Sequence, residues 1–271
     1  SSYNTEKLLV EGCIGDVFRV VCPTAVGEVL HYLDWGPGDG VKSSIIVGIA
    51  AKMFKKVEAY AVDCSPTMLK ASSGNIKKGK NINKNVAITE ICTSFEELAD
   101  NQTYLGIRGK KFHSFLGTTF CNFDPHLICR TLQRTLSAGD YAVIGVHLYS
   151  PNRDDELIVA YNSKSMVDVS FQGLRELGFE RFNPSELAYK SILLKAEDRV
   201  LGTLAKIITY FEVLKPMKKG LLSYSKGDQI PAILSIKYTE TQFRAIIGSY
   251  FDIVKVYLKA ETGLFLVKKR G

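Results

Sequence analysis

The chain has 271 residues, of which 46% are hydrophobic and 23% charged, with a formal net charge of +7. That is ordinary composition for a folded globular chain, long enough for a large domain with an elaborated lobe, and it excludes a disordered or fibrous protein. The positive balance permits an acidic partner but does not show one, because the lysines fall in scattered doublets (Lys55-Lys56, Lys77-Lys78, Lys110-Lys111, Lys218-Lys219, Lys268-Lys269) of the kind that face solvent.

Residues 1–27 show weak periodicity and read as a lead-in or lid. From residue 28 strands and helices alternate. Val29–Leu33 is a short apolar strand, followed by "DWGPGDG" and a helix over Ser43–Phe54. Val57–Asp63 is a strand closed by a carboxylate. Pro66–Ser73 starts a helix with Ser65 as its cap and proline in its first turn. Val86–Thr93 is a strand, "SFEELAD" a helix, Lys111–Leu116 a strand, His126–Leu136 a helix and Tyr141–His147 a strongly apolar strand. This alternation predicts an α/β fold with a doubly wound, mostly parallel sheet. The Rossmann-like core spans 28–149.

Beyond Tyr149 the pattern changes. Asp154 to Pro184 reads as mainly helical, and Leu193–Tyr210 and Leu214–Tyr224 as mixed strand, so 150–230 is expected to be an added α+β lobe. The last stretch, 231–271, reads as strand, helix, strand, hairpin turn near Gly263 and strand, completing the core.

Six cysteines (Cys13, Cys22, Cys64, Cys92, Cys121 and Cys129) form no C-x-x-C pair and accompany no histidine cluster. No metal site is expected, and the thiols read as reduced in a cytoplasmic protein. No signal-peptide core opens the chain, and no apolar run approaches the ~20 residues that cross a bilayer, so no membrane partner is expected. The four histidines, His31, His113, His126 and His147, stand apart from one another and read as structural.

In a doubly wound sheet, ligands sit beyond the carboxyl ends of the strands. The first end carries Gly36, Gly38 and Gly40 before a helix, which suits close approach of backbone to a ligand. Asp63 closes the second strand, where an acid can hold a ribose diol. Dinucleotides and S-adenosylmethionine both fit that pair of features. The spacing is G-x-G-x-G, and Val41 stands where a dinucleotide fingerprint places its third glycine, which weighs against a nicotinamide enzyme. The fourth end, "FLGTTFCNFDP", brings Gly117, Thr118 and Asn122 directly after a strand.

Together "DWGPGDGVKS", "AVDCSPTML", "FLGTTFCNF", "AYNS" and "LSIKYT" resemble, in order and spacing, the family of histidine-specific S-adenosylmethionine-dependent methyltransferases. The resemblance implies a class I methyltransferase fold with S-adenosylmethionine as cofactor. It implies that Gly36, Gly38 and Lys42 line the methionine end, that Asp63 takes the ribose hydroxyls with Ser65 also in the cofactor site, and that Ser94 and Phe95 flank the adenine. Gly117 and Thr118 are then expected to face the cofactor, and Asn122 and Tyr161 to orient the acceptor. The family carries an acidic residue where Ser94 stands. It also grips an imidazole with a Glu and a Ser two residues apart. Here Ser235 is kept, but Ile233 replaces the Glu. The family's N-terminal helical portion, with a tyrosine for the substrate pocket, is expected to be largely missing.

The expected partner is therefore a small amine other than histidine. A nucleic-acid acceptor is the disfavoured alternative, because the lysine-rich Ser72–Asn85 stretch lacks aromatic residues to stack a base. A catalytically silent S-adenosylmethionine-binding partner protein is a further alternative, motivated by Ile233.

Overall fold

In the computed structural model, which describes residues 2–24, 28–79, 82, 84–101, 107, 111–117 and 119–271, the elements run as follows. First come α1 (Ser2–Val21), β1 (Val29–Trp35), α2 (Val41–Met53), β2 (Lys56–Asp63), α3 (Pro66–Lys77), β3 (Val86–Cys92), α4 (Phe95–Asp100), β4 (Lys111–Phe115), α5 (Pro125–Thr135) and β5 (Tyr141–His147). Then come α6 (Asp154–Tyr161), α7 (Lys164–Glu176), β6 (Leu187–Asp198), β7 (Gly202–Val213), β8 (Met217–Lys219), β9 (Leu222–Tyr224), β10 (Gln229–Lys237), α8 (Glu240–Tyr250), β11 (Phe251–Lys259) and β12 (Thr262–Lys269).

Two units emerge, one of 1–120, 124–148 and 240–271, the other of 121–123 and 149–239. The first is built on a seven-stranded sheet in the order β11-β12-β5-β4-β1-β2-β3. β1 to β5 are parallel; β12 runs antiparallel to β5, and β11 to β12. β4 and β5 are buried almost throughout; β5 accordingly reads as an apolar run, β4 buries Lys111, His113 and Ser114 between its phenylalanines, and the edge strand β3 alternates. The chain moves outward from β1 to β3, then returns to β4 on the other side of β1. The topological switch therefore lies between the carboxyl ends of β1 and β4.

Local chemistry fixes the helix starts beside those ends. Ser65 Oγ accepts from the Met68 N–H with Pro66 in the first turn of α3. Ser94 and Glu97 form a capping box on α4. Asp124 caps α5 through the Leu127 N–H at 2.8 Å.

Residues 1–27 are more than a lead-in. α1 buries Val10, Cys13, Ile14, Val17, Phe18 and Val21 at helical spacing, and packs on α2 and on β5, β11 and β12. Phe18 meets the rings of Phe54 and Phe112 edge-on. Residues 25–27 lie outside the described residues.

The second unit holds a three-stranded antiparallel sheet, β10-β7-β6, and the small β8-β9 pair. α7 seats Phe171 and Leu174 in a core with Phe179, Leu187, Phe211, Val213 and Ile230. Two sequence expectations change here. The stretch from 231 does not join the core as a whole: β10 pairs with β7, and the core resumes only at Glu240. The last hairpin turns at Ala260 and Glu261, not Gly263, which lies in β12 opposite Val146. A Cβ at Gly263 would lie 2.7 Å from the Phe265 ring, so that glycine makes room for an aromatic side chain rather than for a turn.

Candidate functional site

The glycine turn after β1 is left-handed at all three glycines, with φ of 67° at Gly36, 57° at Gly38 and 75° at Gly40. Their reasons differ. A Cβ at Gly40 would lie 2.5 Å from the backbone oxygen of Ser72, so this glycine lets the turn press against α3. A Cβ at Gly38 would meet nothing within 4 Å, so its bare backbone faces open space available to a ligand.

Behind the turn, Asp34 is buried at the end of β1. Its carboxylate accepts from Ser43 and, at 2.6 Å, from Ser114, whose Oγ lies 2.7 Å from the Tyr32 hydroxyl. Burial raises its pKa and these hydroxyls oppose the rise. The network ties β1, α2 and β4 together at the switch point.

Lys42, in the first turn of α2, is buried, and its ammonium meets Glu6 of α1 at 2.5 Å. The Glu6 carboxylate also accepts the Gly117 N–H at 3.0 Å. Tyr3 lies beside this pair: its ring is under the Lys42 ammonium, and its hydroxyl donates to Asp39 at 2.7 Å. Helical structure bearing a tyrosine therefore stands at the glycine turn. Nothing local in the sequence marks Tyr3 or Glu6. Their partners lie 36 residues away, and 111 in the case of Gly117.

Asp63 closes β2 half-buried, with Oδ1 accepting the Ser65 N–H at 2.9 Å. The other oxygen has no partner among the described residues. Ser65 and Ser94 both spend their hydroxyls on helix caps. Phe95 is buried and packs against Trp35 and Phe115. Thr118 lies outside the described residues.

The acceptor residues named from the sequence belong to the second unit. Asn122 ends a short 3-10 turn, Thr119–Asn122, and is exposed. Tyr161 ends α6; its carbonyl accepts from Ser191 of β6 and its hydroxyl accepts from Lys237 Nζ at 2.8 Å. Ile233, Ser235 and Lys237 alternate along β10 and so share one face of the sheet. The structure thus brings Tyr161 to the strand that carries Ile233 and Ser235, by way of a lysine that sequence reasoning passed over.

Strand order, glycine turn at the switch point and an acid closing β2 define a Rossmann-like, class I methyltransferase fold. Solved structures agree. The PH0226 protein of Pyrococcus horikoshii OT3 is 11% identical, with a TM-score of 0.50 over 96% of this chain and 89% of its own. A protein of Thermobifida fusca YX described as a candidate methyltransferase is 10% identical, with a TM-score of 0.50 over 100% and 82%. At such identities the likeness concerns the fold. The chain belongs to the family of histidine-specific, S-adenosylmethionine-dependent methyltransferases, whose family model matches residues 3–267. A sequence comparison with curated proteins found no match. S-adenosylmethionine is accordingly the cofactor, and the residues present fit it: an open glycine backbone, a carboxylate oxygen left over on Asp63, and buried charges of both signs for a zwitterionic amino-acid end. Among the described residues no group of side chains is arranged to hold a metal ion, and no helix is long and apolar enough to cross a membrane.

Proposed function

We propose that this methyltransferase transfers methyl to the nitrogen of a small, amino-acid-like amine other than histidine. The observation that carries the reading is Ile233. It stands two residues before Ser235 on the β10 face that also presents Lys237, the hydrogen-bond partner of Tyr161. An aliphatic side chain accepts no hydrogen bond from an imidazole N–H, and leaving that donor buried without a partner costs roughly 1–3 kcal/mol.

S-adenosylmethionine, when bound, supplies an electrophilic methyl on a sulfonium. The chain's own residues bind and orient. Asp63 takes the ribose diol, and the Gly36–Gly38 backbone with Lys42 takes the amino-acid end. Asn122, Tyr161 and Ser235 hold the acceptor. In-line displacement needs the reacting atoms held near ~3–3.5 Å with water excluded. A neutral amine is the nucleophile, and burial lowers an amine's pKa, so no dedicated base is required.

The test is calorimetric. S-adenosylhomocysteine is expected to bind the wild type and to be lost in Asp63→Ala. Histidine, titrated into the S-adenosylhomocysteine complex, is expected not to bind the wild type and to bind Ile233→Glu. Histidine binding to the wild type as tightly as to Ile233→Glu overturns the exclusion of histidine.

A further inference from the structure

The six cysteines divide by position. Cys13, Cys22, Cys121 and Cys129 are buried, whereas Cys64 and Cys92 are exposed. Burial pushes the Cys13 thiol up to about 11 and raises that of Cys129 as well, so these thiols resist forming the thiolate that reacts. The Cys22 thiol donates to Glu28 at 2.8 Å.

The two exposed cysteines are neighbours although 28 residues separate them. Cys92 ends β3 directly beside Asp63, the last residue of β2, and Cys64 is the next residue along the chain. The Cys92 thiol donates to the Cys64 carbonyl at 3.7 Å, so the sulfur of one residue leans on the backbone of the other. Paired strands lie about 4.8 Å apart and rise about 3.3 Å per residue, which sets the Cα atoms of Cys64 and Cys92 roughly 6 Å apart. Disulfides bridge Cα atoms about 4.4–6.8 Å apart. A bond between these sulfurs therefore needs side-chain rotation and a small adjustment of the bend at Cys64, with β2 and β3 left in register.

The bend is also what holds Asp63. Cys64 is the middle residue of the turn in which the Asp63 carboxylate accepts the Ser65 N–H at 2.9 Å, and the Ser65 hydroxyl in turn caps α3. On the other side, Cys92 precedes Thr93, whose N–H donates to the Asp63 carbonyl at 3.2 Å, and then Ser94 and Phe95 at the start of α4. The two sulfurs thus stand between the acid assigned to the ribose and the residues assigned to the adenine.

We propose that Cys64 and Cys92 are a modification site: they form a reversible disulfide that closes the nucleoside end of the cofactor site under oxidation. This rests on the methyltransferase reading above and adds a means of control to the same site. The oxidant is a hydroperoxide. One thiolate attacks the peroxide oxygen, the O–O bond breaks, water or an alcohol leaves, and a sulfenic acid remains on that cysteine. The second thiolate attacks the sulfenic sulfur. The S–S bond forms and hydroxide departs, taking up a proton as water. Two thiols together lose two electrons, and one hydroperoxide gains them. A dithiol reductant reverses the step by thiol–disulfide exchange.

The experiment treats the reduced full chain with a small molar excess of hydrogen peroxide, alkylates the remaining thiols and maps the peptides by mass spectrometry. The wild type is expected to lose two hydrogens and to yield one cross-linked pair, Cys64 with Cys92. Calorimetry on the oxidised protein is expected to show S-adenosylhomocysteine affinity at least ~10-fold lower, restored by dithiothreitol. Bound S-adenosylhomocysteine is expected to slow the cross-link. Cys92→Ser, and separately Cys64→Ser, are expected to give no intramolecular cross-link, while Cys92→Ser in its reduced form binds S-adenosylhomocysteine as the wild type does. A gain of oxygen at either cysteine without a cross-link, a cross-link between other cysteines, or an oxidised protein that binds S-adenosylhomocysteine as tightly as the reduced one overturns the proposal. Failure of the reduced protein to bind S-adenosylhomocysteine sinks the methyltransferase reading instead, and the mass measurement still reports on the disulfide.

Discussion

Two glycines two positions apart in the glycine turn show how the same residue type answers different demands. Gly40 is needed because Ser72 backbone occupies the space of its missing Cβ, at 2.5 Å, and because its φ is 75°. Backbone cannot swing aside as a side chain can, so Gly40→Ala is expected to destabilise by about 3 kcal/mol, combining left-handed strain with overpacking. Gly38 has the same handedness but open surroundings. Gly38→Ala is expected to cost only about 1 kcal/mol in stability. Its methyl would, however, enter the space assigned to the cofactor, and S-adenosylhomocysteine affinity is expected to fall at least ~10-fold. Denaturant unfolding and calorimetry on both variants separate the two cases. Equal stability losses would mean that the turn, not α3, sets the requirement at Gly40.

At the scale of elements, the strands and the helices between them were legible where an element carries its own signal: an apolar run for β5, and serine or aspartate caps with prolines for α3 and α5. α1 carries none. It has no acidic residue in its first turn, it contains Gly12 and Gly15, and it is rich in β-branched residues, so its helicity depends on burying one face. The same helix delivers Glu6 to Lys42, a pair whose side chains are 5% and 7% exposed. Glu6→Ala strands a buried ammonium and is expected to cost about 3–5 kcal/mol. Adding Lys42→Met to Glu6→Ala is expected to recover most of that loss while still abolishing S-adenosylhomocysteine binding. If the double variant is no more stable than Glu6→Ala, the pair is not what holds α1 at the turn.

For the molecule as a whole, the alternating order of elements made the doubly wound core readable, but not the partnership of β10. A strand's sequence states that it will pair, not with which strand, and β10 pairs with β7, whose hairpin with β6 was itself read only in part. Lys237 and Glu6 escaped notice for a related reason: their meaning lies in partners far along the chain. One global property does follow from a single buried group. His113 on β4 is fully buried, with Nδ1 accepting the Trp35 indole N–H at 3.0 Å. Burial, aided by the charge of Lys111, pushes its pKa from 6.5 down to about 3. Below pH 6.5 the unfolded chain takes up a proton at this histidine that the folded chain refuses until about pH 3. Stability from this group is therefore complete above pH 6.5 and is lost as pH falls, at up to about 1.4 kcal/mol per pH unit. Asp34 acts in the opposite direction, because its raised pKa lets the folded chain bind a proton first. A comparison that keeps Asp34 constant removes that contribution. His113→Asn preserves an acceptor for Trp35 and cannot titrate. Between pH 7 and pH 5 the wild type is expected to lose about 2 kcal/mol more in urea unfolding than His113→Asn does. Parallel stability curves for the two proteins would show that His113 is protonated in the fold and that its burial is relieved by water.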